Sequence, residues 1–234
     1  MGRLKGMLNY FSTREKVIWI ISVLLIVVPF VILDRENFHT LIASIIGVTA
    51  IIFIAKGNPI GQVLMIIFSS IYGAISYAYA YYGEVLTYLG MTLPMATVSL
   101  VSWLRHPFKN NRAEVEINRL KPKEPYFLIL WTVTVTAVGY FVLKRFGTAN
   151  LIPSTISVAT SWAAAFLTFR RSPYFALAYA VNDLVLILLW TLAAFTDVSY
   201  ISVVMCFCAF LINDLYSFFN WRRMQKRQRA LAEE

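Results

Sequence analysis

Charged residues make up only 14% of this 234-residue chain, against 59% apolar ones. A water-soluble domain of this size needs a polar shell that so few charges cannot supply, so that class is excluded. Cysteine and histidine are scarcer still, with two of each. Cys206 and Cys208 sit two apart in one apolar run, where a helix points them in different directions, which argues against a mutual disulfide or a metal pair. His39 and His106 fall at opposite loop edges and complete no metal site, and no cofactor is expected. The chain also lacks a Gly-rich phosphate loop, a Gly-x-Ser-x-Gly elbow and a His-Glu-x-x-His helix. No catalytic constellation is left, and work driven directly by nucleotide hydrolysis is excluded.

What is present is apolar length. Eight runs, Val17–Leu33, Thr40–Ala55, Pro59–Tyr82, Val85–Leu104, Tyr126–Leu143, Leu151–Phe169, Pro173–Phe195 and Val198–Trp221, each approach the roughly 17–25 residues that carry a helix across a bilayer. The connections between them differ sharply in charge. Of the 21 Lys and Arg residues, all but Arg35, Lys144 and Arg145 fall on the termini and alternate connections. Basic residues mark the cytoplasmic side, so both termini are expected there and the number of crossings is even. The net charge of +9 is explained by this topology, since no basic helix or interleaved aromatic platform suggests nucleic-acid binding. No small-residue cleavage site follows Leu33, so the first run reads as a retained helix.

The expected fold is an all-α integral membrane bundle of eight transmembrane helices with an internal repeat. Aligning Asn58-Pro59 with Ser172-Pro173 places Lys56-Gly57 against Arg170-Arg171. With four further residues in the second copy, Trp103-Leu104-Arg105 meets Trp221-Arg222-Arg223. Each copy is three helices, and Pro suits the helix start because its missing N–H is unpaired there in any residue. Residues 1–37 form a cytoplasmic N-terminus and an extra helix, and 38–105 the first repeat. Residues 106–150 form a basic loop and linker helix, 151–223 the second repeat, and 224–234 a cytoplasmic tail. Three helices plus one linker is an even offset, so the copies are parallel, a plan shared by transporters whose sites lie between the copies near the midplane.

Two acids lie at membrane depth. Asp183 is about ten residues into the seventh run and Asp214 about eight from the end of the eighth, roughly 12–15 Å from the cytoplasmic face at 1.5 Å per residue. A charge there costs at least about 2.5 kcal/mol, so each acid must face a partner or a polar cavity. Both follow Asn, in Asn182-Asp183-Leu184 and Asn213-Asp214-Leu215, and no Lys, Arg or His lies at comparable depth. A cationic substrate or a shared proton would compensate them, and the alternative is that the Asn-Asp pairs only join neighbouring helices. Helical spacing adds Trp190 to the stripe of Asp183, and Ser217 and Asn220 to that of Asn213. Gln62 and Tyr72 lie on the second helix of the first copy, where a buried primary amide must find several partners. Trp19, Trp103 and Trp221, at cytoplasmic helix ends, read as an aromatic belt. Trp162 and Trp190 lie deeper and, with Tyr72, could stack on a flat cationic ring, a contact worth about 2 kcal/mol when desolvated.

The strings Arg170-Arg171-Ser172-Pro173-Tyr174 and Ile212-Asn213-Asp214-Leu215-Tyr216-Ser217-Phe218-Phe219-Asn220-Trp221-Arg222-Arg223-Met224 resemble the Pnu family of bacterial vitamin transporters, over nearly all the chain beyond about residue 38. The resemblance implies a SWEET-like three-plus-one-plus-three bundle in the bacterial cell membrane. It further implies facilitated diffusion of unphosphorylated nicotinamide riboside, trapping by a cytoplasmic riboside kinase, and a pocket in each subunit of a homotrimer. Thiamine or a deoxynucleoside is the alternative cargo. Two other classes stay open: a ligand-binding membrane subunit or sensor without translocation, and an intramembrane enzyme using Asp183 and Asp214. The chain differs from the seven-helix family core by its first run, Val17–Leu33.

Overall fold

The computed structural model describes residues 10–33, 35, 37–78, 82–148 and 150–233. Its long helices are α1 (Thr13–Leu33), α2 (Phe38–Ala55), α3 (Ile60–Ala78), α6 (Glu124–Arg145), α7 (Leu151–Phe169), α8 (Tyr174–Ala194) and α9 (Ile201–Glu233). The fourth crossing is built in pieces: a single turn, α4 (Tyr82–Val85), a π-helical stretch over Leu86–Thr92, and α5 (Leu93–Arg105). Seven helices among the described residues are long and apolar enough to cross a membrane, and the broken fourth crossing supplies the eighth. Ridges of apolar side chains on α2, α3 and α9 interlock around Val48, Ile51, Phe68 and Phe210, with Ile26 of α1 closing the cluster.

Residues 79–81, at the end of the third run, lie outside the described residues. Three expectations are corrected. The loop after α5 is partly ordered as a hairpin, β1 (Pro107–Phe108) antiparallel to β2 (Asn111–Val115), with Lys109 and Asn110 at positive φ in the turn. The eighth helix does not end at Trp221 but runs on to Glu233, because Met224, Gln225 and Gln228 continue a buried stripe against the hairpin. Finally, Trp103 and Trp221 are no aromatic belt: both are fully buried, with ring centroids 5.4 Å apart.

The two repeats are locked by matching joints. Trp103, which ends the first repeat, donates its indole N–H to the Thr168 carbonyl at the end of α7 (3.0 Å). Trp221, which ends the second, donates to the Ile54 carbonyl at the end of α2 (2.8 Å). Thr168 and Ile54 are equivalent in the repeat alignment, so each copy is capped by the tryptophan of the other. The next two positions correspond as well. Gly57 and Arg171 both turn the chain through left-handed backbone, at φ +67 and +56, a step that costs a non-glycine residue about 1–2 kcal/mol. At both sites an acid from the preceding helix binds the neighbouring cation. Lys56 pairs with Glu15 of α1 (3.1 Å), and Arg170 with Glu124 of α6. Each acid also accepts from the backbone N–H three residues earlier, Glu15 from Ser12 and Glu124 from Lys121.

Candidate functional site

At mid-bundle, α8 and α9 bring together the two acids that the sequence singled out. The Asp183 and Asp214 carboxyl groups lie within hydrogen-bonding reach of each other, and both residues are buried. A hydrogen bond between two carboxyl groups requires a proton on one of them, so a pair joined in that way would carry one charge rather than two. The Asp183 Oδ2 atom is buried without a partner, which in a native interior calls for an explanation beyond packing. Tyr179, one helical turn before Asp183, lies within electrostatic range of both acids, and its hydroxyl is in reach of Thr168.

An aromatic group stands beside the pair. Tyr88, on the π-helical stretch, is within electrostatic range of Asp183, and its ring lies 4.5 Å from that of Tyr72 and 5.6 Å from Phe68. Phe68 in turn meets Phe210 of α9 edge-on. The π turn is seated by Gly73, where an added Cβ would stand 2.4 Å from Leu89 Cγ. These rings, with Ile26, Ser44 and Cys206, enclose a cavity of ≈ 20 Å³. That is room for about one water molecule, so a ring-sized ligand reaches this place only when the aromatic side chains part.

The remaining sequence candidates divide. Trp162 keeps its indole N–H buried and unpartnered at about the depth of the acids, and Trp190 packs on Tyr200 (5.2 Å) toward the opposite end. Gln62 is buried with an unpartnered Nε2, but it sits in the first turn of α3, at the basic end of the bundle rather than at the level of the acids. Asn182 accepts hydrogen bonds from Ser157, Thr160 and Ser161 of α7, so it joins α8 to α7. Asn213 donates to Ser22 of α1 (2.7 Å) and to Ala209, leaving its Oδ1 without a partner. Ser217 donates back to the Asn213 carbonyl, and Asn220 donates to the Ala55 carbonyl of α2. The Asn213–Ser217–Asn220 stripe therefore faces α1 and α2, on a different side of α9 from Asp214. Tyr88, Tyr179, Phe68 and Phe210 were missed. Tyr179 carried a readable signal, the i, i+4 spacing to Asp183, whereas Tyr88 lies where the helical period itself changes.

Two like-oriented helical halves around buried ionisable side chains, in a chain built to cross a bilayer eight times, define a multi-pass membrane transporter rather than an enzyme. The model of the family described as nicotinamide mononucleotide transporter matches residues 37–223, and the chain belongs to that family. It is 23% identical over 219 residues to the nicotinamide riboside transporter PnuC of Neisseria mucosa, covering 92% of this chain and 83% of that protein. With PnuC of Haemophilus influenzae it shares 22% identity over 213 residues, 91% of either chain. The crystal structure of the vitamin B3 transporter PnuC has the same fold, with a TM-score of 0.78 at 22% identity over 93% of this chain and 94% of that one.

Proposed function

We propose that this chain takes up nicotinamide riboside by facilitated diffusion across the bacterial cytoplasmic membrane. Both termini lie in the cytoplasm, and a cytoplasmic kinase traps the product. The observation that carries this reading is the Asp183–Asp214 pair: a partly neutralised carboxyl couple with a free oxygen, next to the Tyr72–Tyr88–Phe68 rings, suits a ligand that is both aromatic and cationic. Nicotinamide riboside carries its positive charge on a flat ring. The names borne by the two PnuC relatives point the same way.

The chemistry of the core also separates riboside from mononucleotide. Every described Lys and Arg lies at a helix end, in a loop or on the extension of α9. A phosphate dianion beside two carboxyl groups with no cation at that depth would meet repulsion of like charges in a medium that screens them poorly. Of the ten side chains put forward from the sequence, Asp183, Asp214, Trp162 and Tyr72 are assigned to the ligand. Gln62 is assigned to the basic-side mouth and Trp190 to the outer side. Asn182, Asn213, Ser217 and Asn220 are assigned to holding α8 and α9 in place.

Titration calorimetry on the detergent-purified protein with nicotinamide riboside, thiamine, a deoxynucleoside and the mononucleotide tests the assignment. Tight binding of the riboside alone is expected. Preference for thiamine or the deoxynucleoside would replace the cargo, and binding without counterflow of labelled riboside in vesicles would replace transport by sensing.

A further inference from the structure

Outside the central site, a groove of ≈ 450 Å³ lies between the start of α1 and the basic end of the membrane-spanning part of α9. Its walls are Val17, Ile18, Phe219 and the ring of Tyr216, and its rim carries Arg14 and Arg223. The wall is almost wholly apolar although it opens to the outside of the bundle, where Val17 and Phe219 are exposed. A groove of this kind at membrane depth is covered by acyl chains.

The rim has the opposite character. Arg14 and Arg223 are both exposed, and neither forms an ion pair or hydrogen bond among the described residues. They come from different helices and converge on one opening. The nearest acid, Glu15, is buried and already held by Lys56, Ser12 and the Tyr216 hydroxyl, so it does not neutralise them. Two unpaired guanidiniums over an apolar slot match a phosphate joined to hydrocarbon, since arginine binds phosphate oxygens through paired N–H donors. Arg14 is the second residue of α1, and Arg223 follows Trp221 by two, which puts both at headgroup level on the basic face.

We propose that this groove is a binding site for one anionic phospholipid, whose phosphate is held by Arg14 and Arg223 and whose acyl chain lies along Val17, Ile18 and Phe219. The lipid clamps α1 onto α9 at the end where Glu15, Lys56 and Tyr216 already join α1, α2 and α9. The site depends on no assumption about the transported molecule.

Native mass spectrometry of the full chain in detergent, titrated in parallel with phosphatidylglycerol and phosphatidylcholine, tests it. Phosphatidylglycerol is expected to bind more tightly, and Arg14→Gln or Arg223→Gln to weaken it by about fivefold each, the usual effect of one basic side chain at an anionic surface. Arg112→Gln, an exposed arginine on the hairpin, serves as the control for net charge and is expected to leave binding unchanged. Val17→Trp, which fills the slot, is expected to displace both lipids. Equal weakening by all three arginine substitutions would reduce the effect to diffuse surface charge and overturn the site. Displacement of the lipid by millimolar inorganic phosphate alone would overturn the role of the apolar wall.

Discussion

Two carboxyl groups in contact behave differently from one, and that decides which substitution is informative. Asp214→Asn preserves a hydrogen bond, because the new amide N–H donates to Asp183 where a shared proton did before, so thermal unfolding should change little. The pair's single negative charge stays on Asp183 in that variant, and only the double variant Asp183→Asn/Asp214→Asn removes the charge that the cationic ring is proposed to meet. Riboside binding to the double variant should weaken by roughly tenfold or more, the worth of a hydrogen bond to a charged group, as read by calorimetry; unchanged affinity in a stable double variant would return the pair to helix packing. The tryptophan joints test the repeat instead. In Trp103→Phe and Trp221→Phe, the bereft carbonyls keep other donors, Arg171 N–H on Thr168 and Gly57 N–H on Ile54. Each variant should therefore lose about 1 kcal/mol for one hydrogen bond plus a similar packing loss, and show similar falls in Tm. A neutral result at one site beside a severe one at the other would mean the joints are not equivalent. Asp183 and Asp214 were legible in the sequence because the cost of burying an acid is written in its residue type. The partners of Asn213 and Asn220 were not, because whether an amide turns toward a cavity or across to Ser22 and Ala55 is fixed by the register of a neighbouring helix.

The segment after α5 acts as a strap across the basic end of both repeats. Val115 N–H donates to the Gly57 carbonyl and Asn118 N–H to that of Arg171, so one stretch of chain ties the equivalent turns of the two copies. Arg171 is itself buried and donates to the Glu116 carbonyl; that desolvation lowers its pKa, while the Glu116 charge opposes the shift. Val115, fully buried, sits under Trp103 and Trp221 in one cluster. Gln228, on the extension of α9, holds the strap from the other side, accepting from Ile117 N–H and donating to Val115 and Glu114. Gln228→Ala should therefore speed hydrogen exchange at Ile117 by roughly fivefold or more, as the loss of about 1 kcal/mol of local hydrogen bonding implies, while exchange in α2 and α7 stays slow. Uniform acceleration would mean the bundle, not the strap, had loosened. All eight crossings could be read from apolar length, since the bilayer dictates it, although the π-helical stretch inside the fourth could not. The strap could not, because its five-residue strand has an ordinary polar sequence and is ordered by carbonyls more than fifty residues away. The first helix, taken from the sequence as an addition to the core, shares one joint with α6: Ser12 and Glu15 repeat the roles of Lys121 and Glu124, each three apart, and Lys56 repeats that of Arg170. That correspondence rests on side-chain bonding, and no pattern of apolar residues reveals it.

For the molecule as a whole, the question is how much charge crosses the membrane with each ligand. A carboxyl pair holding one proton carries a single negative charge, and a bound riboside brings one positive charge, so the loaded core is neutral and loses little by burial in a low-dielectric interior. Closing around the cation and releasing it on the other side moves one net charge if the shared proton stays. If the cation instead drives that proton off to one side, the exchange is electroneutral and follows the pH gradient. The two cases separate in proteoliposomes. Facilitated diffusion with the proton retained should let a potassium diffusion potential of 100 mV, inside negative, drive riboside accumulation to about fiftyfold at equilibrium, since one charge gains about 2.3 kcal/mol per 100 mV. The double variant Asp183→Asn/Asp214→Asn should approach that same plateau more slowly, because a weakened site changes the rate of a passive carrier and not its endpoint. Accumulation that ignored the potential and tracked an imposed pH gradient would show that the pair surrenders its proton in each cycle, and the carrier would be an exchanger.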